Sequence, residues 1–284
     1  MRVEIFDVDH GQCAAITAPN GRALLVDCGD RMEGTHWWAP SMHFLNSRFE
    51  LLALTNLDED HLSNFHLLTQ YVSIGAILTN PTIGGAQLLN MKPQGIKEGT
   101  RGVYGWLSNP FKPTVPFPDF GDVKVSWYCN PYIPGASNDT NNLSLVLIVE
   151  YQGFKIVFGG DVENAGWREL LARYPRLAFA LNGTCIYVAS HHGRRNGCSD
   201  DLFKLIRPGI VVISGGRRQY ETQDTDAWFR QRSNGIPVIG TTERRYVLST
   251  RKDGSLRVDV DPYGNWLVTP FDAGMWDLSL SSVA

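Results

Sequence analysis

Four apolar runs of strand length each stop abruptly at a cluster of acids or histidines, and that pairing constrains the fold most. Residues 23–28 run into Asp27-Cys28-Gly29-Asp30. Residues 51–55 run into Asn56-Leu57-Asp58-Glu59-Asp60-His61. Residues 154–158 are followed by Gly159-Gly160-Asp161, and 185–189 by Ser190-His191-His192-Gly193. Polar groups gathered at the C-terminal ends of strands are where the edge loops of layered folds assemble sites. The chain is therefore expected to be built from sheets whose ends share one site.

Other segments extend the pattern. Strands are expected at 3–8, 13–18, 75–79, 123–129, 143–151 and 210–214, and Pro19-Asn20-Gly21 marks a hairpin turn. Leu62, Phe65, Leu68 and Val72 recur at helical spacing, predicting a helix over 61–72. Further helices are expected at 165–174, 200–206 and 225–232, a short strand at 237–240, and a hairpin joining 246–250 to 256–260 around Lys252-Asp253-Gly254. Between Pro81 and Gly121 prolines and glycines crowd the chain, which predicts a long loop, either a lid or rim insertion or a linker. Two halves, each with strands and then helices, predict an α/β fold: a four-layer αββα sandwich of two mixed β-sheets flanked by helices. One domain over 1–284 is expected, with the insertion at about 80–121.

Composition excludes several classes. Hydrophobic residues make up 43% and charged residues 19%, too apolar for a disordered chain. No apolar run approaches the ~20 residues that span a bilayer, and the N-terminus has no signal-peptide pattern. A cytoplasmic location without membrane partners is expected. The five cysteines are scattered without CxxC spacing and read as free thiols. Oligomeric state is not legible.

Three acids and a histidine at one strand-to-helix junction repel unless a cation or a helix N-terminus relieves them. A divalent metal would do so, and His191 and His192 suit one ligand and one outer contact. In order and spacing these motifs resemble the metallo-β-lactamase superfamily, and within it the hydrolase domain of the competence protein ComEC. The resemblance rests on Asp7-Val8-Asp9-His10-Gly11, Asp27-Cys28-Gly29, Thr55 to His61, Asn142-Leu143-Ser144, Gly160-Asp161, Ser190 to Gly193 and Ser214-Gly215-Gly216, over roughly 2–260. Asn56 departs from it, standing where the family has its first metal-binding histidine, and 217–222 replace an Asn/Tyr-then-His-Pro segment.

The resemblance implies one firm metal position from Asp60, His61, Asp161 and one of His191/His192. A second, weak or absent, would use Asn56, Asp58 and a bridging Asp161. Zn2+ or Mn2+ suits such an oxygen-rich set. The implied activity is hydrolysis by a metal-bound hydroxide, with Asp58, Asp60 and His192 catalytic. From His191 to Arg257 thirteen basic residues face seven acidic ones, although the formal net charge is −3. Arg194, Arg195, Arg217 and Arg218 therefore become candidates to bind a phosphodiester, with nucleic acid the leading partner. Two alternatives stay open: a metal-poor binding or regulatory protein on the same fold, and a hydrolase of small esters, amides or phosphocholine groups.

Overall fold

The computed structural model describes residues 1–33, 36–109, 116–136, 139–216, 221–274 and 276–277. Two mixed sheets face each other. One takes the strands in the order Trp266–Phe271, Ser255–Val260, Arg2–Ile5, Ala14–Thr17, Ala23–Val26, Leu51–Ala53 and Ile77–Leu78. The other runs Lys124–Cys129, Leu145–Tyr151, Phe154–Phe158, Ile186–Val188, Ile210–Ile213 and Val247–Ser249. Pairing turns parallel from Ala23–Val26 onward in the first sheet and from Phe154–Phe158 onward in the second. Those parallel strands are the ones that end in polar clusters, so their C-terminal ends meet at one edge.

The strands read as unbroken apolar runs because both of their faces are buried. Leu145, Leu147 and Val149 point between the sheets, while Val146 and Ile148 point to an outer helical layer. Leu24 and Val26 likewise face inward and Leu25 outward. Trp167, Leu170, Leu177 and Phe229 cover the second sheet, and Phe65, Leu68, Leu88 and Val103 the first. Each fully buried Leu or Phe of this kind contributes about 1.5–3 kcal/mol. The four layers expected from sequence are thus present.

Four local expectations need correction. The 80–121 segment is not a long loop: it carries helices Gly85–Met91 and Glu98–Ser108. Its glycines serve packing, for a Cβ on Gly99 would lie 2.1 Å from the Leu62 carbonyl oxygen. The 61–72 helix is split into Glu59–Leu62 and Phe65–Tyr71, because the Ser63 hydroxyl and Asn64 amide turn aside to donate to Asp30. The expected hairpin over 246–260 is a crossover. Val247–Ser249 lies in the second sheet and Ser255–Val260 in the first, joined by a helical turn whose Asp253 carboxylate accepts from the Ser249 N–H and from Arg245. Residues 237–240 form no strand; the one bridge there joins Ile236 to Arg245. The Asn20-Gly21 hairpin is as expected, with Gly21 at φ 81°. No helix among the described residues is long and apolar enough to cross a membrane.

Candidate metal centre

Asp60, His61, Asp161 and His192 come together at the shared edge, each offering one ligand atom, all within 4.8 Å of one another. Asp60 and His61 follow strand Leu51–Ala53, Asp161 follows Phe154–Phe158, and His192 follows Ile186–Val188. His61 is fully buried, Asp161 is 3% exposed and His192 4%.

The backbone at this edge is strained. Asp9, Asp27, His191 and His192 all have φ between 51° and 58°, four of the six non-glycine residues with left-handed backbone among the described residues. Such conformations cost about 1–3 kcal/mol each and persist only where packing enforces them. Two glycines clamp the loop that carries Asp60. A Cβ on Gly11 would lie 2.4 Å, and one on Gly29 2.5 Å, from the Asp60 carbonyl oxygen. The Gln12 N–H donates to that same oxygen at 3.3 Å, and the Cys28 N–H donates to His61 O at 2.8 Å. This explains why glycine punctuates both early motifs.

The outer hydrogen bonds fix both imidazoles. His192 Nδ1 faces the Ser214 carbonyl oxygen at 2.8 Å, so that nitrogen carries the proton. Its Nε2 is buried without a hydrogen-bond partner, 3.1 Å from Asp60 Oδ2 and 3.6 Å from Asp161 Oδ1. A ring nitrogen aimed out of hydrogen-bond line at two carboxylates is what a shared cation satisfies. His61 Nδ1 lies 2.9 Å from Asp27 Oδ2 and its Nε2 3.1 Å from Asp161 Oδ1. Asp27 is itself fully buried and accepts from the Thr55 N–H, the Thr55 hydroxyl and the Gln12 amide. A carboxylate behind a ligand histidine orients the ring and raises its basicity. The residues present fit a divalent ion.

Charge in the cluster is finely opposed. Burial would lower the pKa of His61, but the carboxylates of Asp161 and Asp27 raise it well above the ordinary value. Burial also acts to lower His192, and Asp161 and Asp60 raise it. Loss of hydration would raise Asp60 and Asp161, yet the facing histidines hold both below the usual carboxylate range. Without metal, both imidazoles therefore keep protons to higher pH than free histidine. An incoming ion must displace those protons. Zinc affinity is accordingly expected to rise with pH above about 6.5, the ordinary histidine value, releasing up to two protons per ion. Zinc titration at a series of pH values, in two buffers of different ionisation enthalpy, reads this directly; an affinity flat across that range contradicts it.

The other sequence candidates lie around this cluster. Asn56, 1% exposed, accepts the Asp58 N–H on its Oδ1 and donates from Nδ2 to Asn141 Oδ1 at 3.2 Å. Asp58 is ion-paired with Lys92 and accepts from the Thr140 hydroxyl at 2.7 Å. Glu59 accepts from the Gly99 and Thr100 N–H groups, each at 2.9 Å, at the start of helix Glu98–Ser108. The crowded acids are thus relieved separately, by an ammonium, by a helix N-terminus and by the histidine cluster. His191 turns away from the four: its Nδ1 lies 3.3 Å from Glu163 Oε1 and its Nε2 accepts from Arg194 at 3.4 Å. Arg194 also donates to His10 Nε2 at 3.3 Å. His10 is held neutral, with burial and then His192 lowering its pKa to about 4 against the pull of Asp60. Arg195 is exposed beside them. Arg217 and Arg218 lie outside the described residues.

Asp27, Ser214, His10, Glu163 and Lys92 have no individual role legible in the sequence. Asp27 stood inside a recognised Asp-x-Gly motif, and its depth of burial was the missing signal. Lys92 had none, lying in a segment read as loop.

The fold and site define the class: the chain has the metallo-β-lactamase fold, two mixed sheets between helical layers, with a His/Asp cluster at the shared strand ends. It is distantly similar to ComE operon protein 3 of Bacillus subtilis (strain 168), 21% identical over 234 residues. The match takes in 76% of this chain but spans only 28% of that relative. No protein-family model matches. Among solved structures, a variant of CmlA beta-hydroxylase superposes with a TM-score of 0.56 at 14% identity, over 91% of this chain and 54% of that one. The metallo-beta-lactamase fold protein YhfI from Bacillus subtilis gives 0.46 at 9% identity, over 90% and 99%. Zn(2+)-bound PqqB from Methylobacterium extorquens gives 0.44 at 12%, over 92% and 100%. At 14% identity the likeness to the first of these is one of fold.

Proposed function

We propose that this chain is a metal-dependent hydrolase of phosphodiesters, with nucleic acid as the leading substrate class. One observation carries the metal: two imidazoles and two carboxylates converge within 4.8 Å, their outer faces fixed by Asp27 and Ser214. Two oxygen and two nitrogen donors suit zinc or manganese. When bound, a divalent ion polarises the attacked group and brings the pKa of water toward about 7. The chain's own residues do the rest. Asp60, His61, Asp161 and His192 hold the ion. Asp58, steadied by Lys92 and Thr140, orients the attacking water and takes its proton. Arg194, half-buried between His10 and His191, holds an anionic oxygen at the mouth, with Arg195 beside it. Arg217 and Arg218, which lie outside the described residues, are candidates for the same role by sequence alone. The five unpaired cysteines, four of them buried, support a cytoplasmic location.

The test is a salt titration of binding to a labelled single strand and to a duplex, wild type against an Arg194→Ala/Arg195→Ala double variant. The wild-type slope of log affinity against log salt should be about 0.9 per neutralised phosphate on duplex and about 0.7 on single strand. The double variant should bind more weakly, with a visibly shallower slope and unchanged metal content. An unchanged slope and affinity would move the reading to a small-substrate hydrolase. No wild-type binding at low salt with zinc or manganese present would count against nucleic acid altogether.

A further inference from the structure

Every group that the resemblance assigns solely to a second metal already has a partner within the chain. Asn56 has both ends of its amide engaged, the oxygen by the Asp58 N–H and the nitrogen by Asn141. Asn141 in turn donates to Glu163 Oε1 at 3.3 Å. Asp58, whose side chain is 27% exposed, is neutralised by the Lys92 ammonium, itself 23% exposed. Lys92 Nζ also donates to Thr140 Oγ1 at 3.2 Å, and the Thr140 hydroxyl donates to Asp58 Oδ1. The ammonium, the carboxylate and the hydroxyl close a triangle at the mouth of the site.

Lys92 is held there by the fold. It follows helix Gly85–Met91 directly, and its N–H donates to Leu89 O at 3.0 Å. The Gly95 N–H donates to Lys92 O at 2.9 Å, and Met91 beside it is 6% exposed. Asp58 sits two residues from the ligand Asp60, and its carbonyl accepts the N–H of the ligand His61 at 3.1 Å. The lysine charge is therefore delivered beside the metal loop by a segment remote in sequence.

We infer that the Lys92 ammonium takes the electrostatic place of a second metal ion, so that the site carries one exchangeable ion and one covalently tethered cation. The inference rests on the metal-dependent reading above and concerns the position that reading leaves unfilled. A neutral amide at Asn56 and a lysine at Asp58 act together: the first weakens a metal position and the second supplies positive charge without ligands. An ammonium has three N–H donors. Asp58 and Thr140 engage two, and the third is open to an anionic substrate oxygen.

Zinc alone is the probe, titrated into the metal-free chain, with bound zinc also counted by elemental analysis after gel filtration. Wild type and Lys92→Arg, which keeps the charge, should bind one zinc per chain. The Asn56→His/Lys92→Met double variant, which restores an imidazole and frees Asp58, should bind a second. Its second affinity should exceed any residual second binding by wild type on the order of ten- to a hundredfold. Asn56→His/Lys92→Gln carries the same expectation should the methionine variant fail to fold. Two tight zinc ions in the wild type, or a folded double variant that stops at one, would overturn the role given to Lys92. No zinc in the wild type would instead overturn the metal-dependent reading, and this inference with it.

Discussion

Asp161→Ala is expected to lose zinc affinity by more than the roughly 10- to 100-fold that removal of an outer hydrogen-bond partner costs. Asp161 Oδ1 lies 3.1 Å from His61 Nε2 and 3.6 Å from His192 Nε2, so one carboxylate serves both imidazoles. Alanine leaves two rings aimed at a gap and removes a negative charge that the ion needs. Asn56→Ala should change zinc affinity far less, because that amide spends its polar atoms on Asp58 and Asn141. Zinc competition titrations on the two variants check this, and equal losses would show that Asp161 is no ligand.

Asp27→Ala is expected to destabilise the fold by about 3–5 kcal/mol, the cost of removing one member of a buried charged pair. The carboxylate is fully buried and accepts from Thr55, Gln12 and His61, and alanine removes the acceptor that these groups share. The same change frees His61 to rotate, so zinc affinity should also fall about 10- to 100-fold. Urea unfolding of the metal-free chain reads the first effect as a lower midpoint at constant slope. Zinc titration reads the second. A midpoint within experimental scatter of wild type would mean that Asp27 does not hold the site together.

Much of the site was legible because ligand chemistry and position agree. Asp60-His61, Asp161 and His191-His192 each follow an apolar run, and both faces of those strands are buried, so the runs read clearly. Which of His191 and His192 faces the other three residues was not legible. Both residues have left-handed backbone, and the pair is sorted by what lies opposite, Ser214 and Asp60 for one, Glu163 and Arg194 for the other. The crowding of Asp58, Glu59 and Asp60 pointed to a cation, yet only Asp60 faces the four-residue cluster. Glu59 is answered by a helix N-terminus some forty residues on, and Asp58 by Lys92. Both partners belong to the proline- and glycine-rich stretch, whose composition hid two helices. There glycine marks close packing, as where Gly99 meets the Leu62 carbonyl and Gly102 the Phe65 ring, rather than chain freedom. The crossover after Val247–Ser249 escaped notice for a similar reason: two apolar runs and a short turn do not reveal that each run joins a different sheet.

One divalent ion is expected among Asp60, His61, Asp161 and His192. Diffraction at the zinc absorption edge from crystals of the zinc-loaded protein tests it most directly. One full-occupancy anomalous peak is expected at about 2.0–2.2 Å from the two imidazole nitrogens and the carboxylate oxygens. A peak elsewhere, or none with His61 still hydrogen-bonded between Asp27 and Asp161, would contradict it.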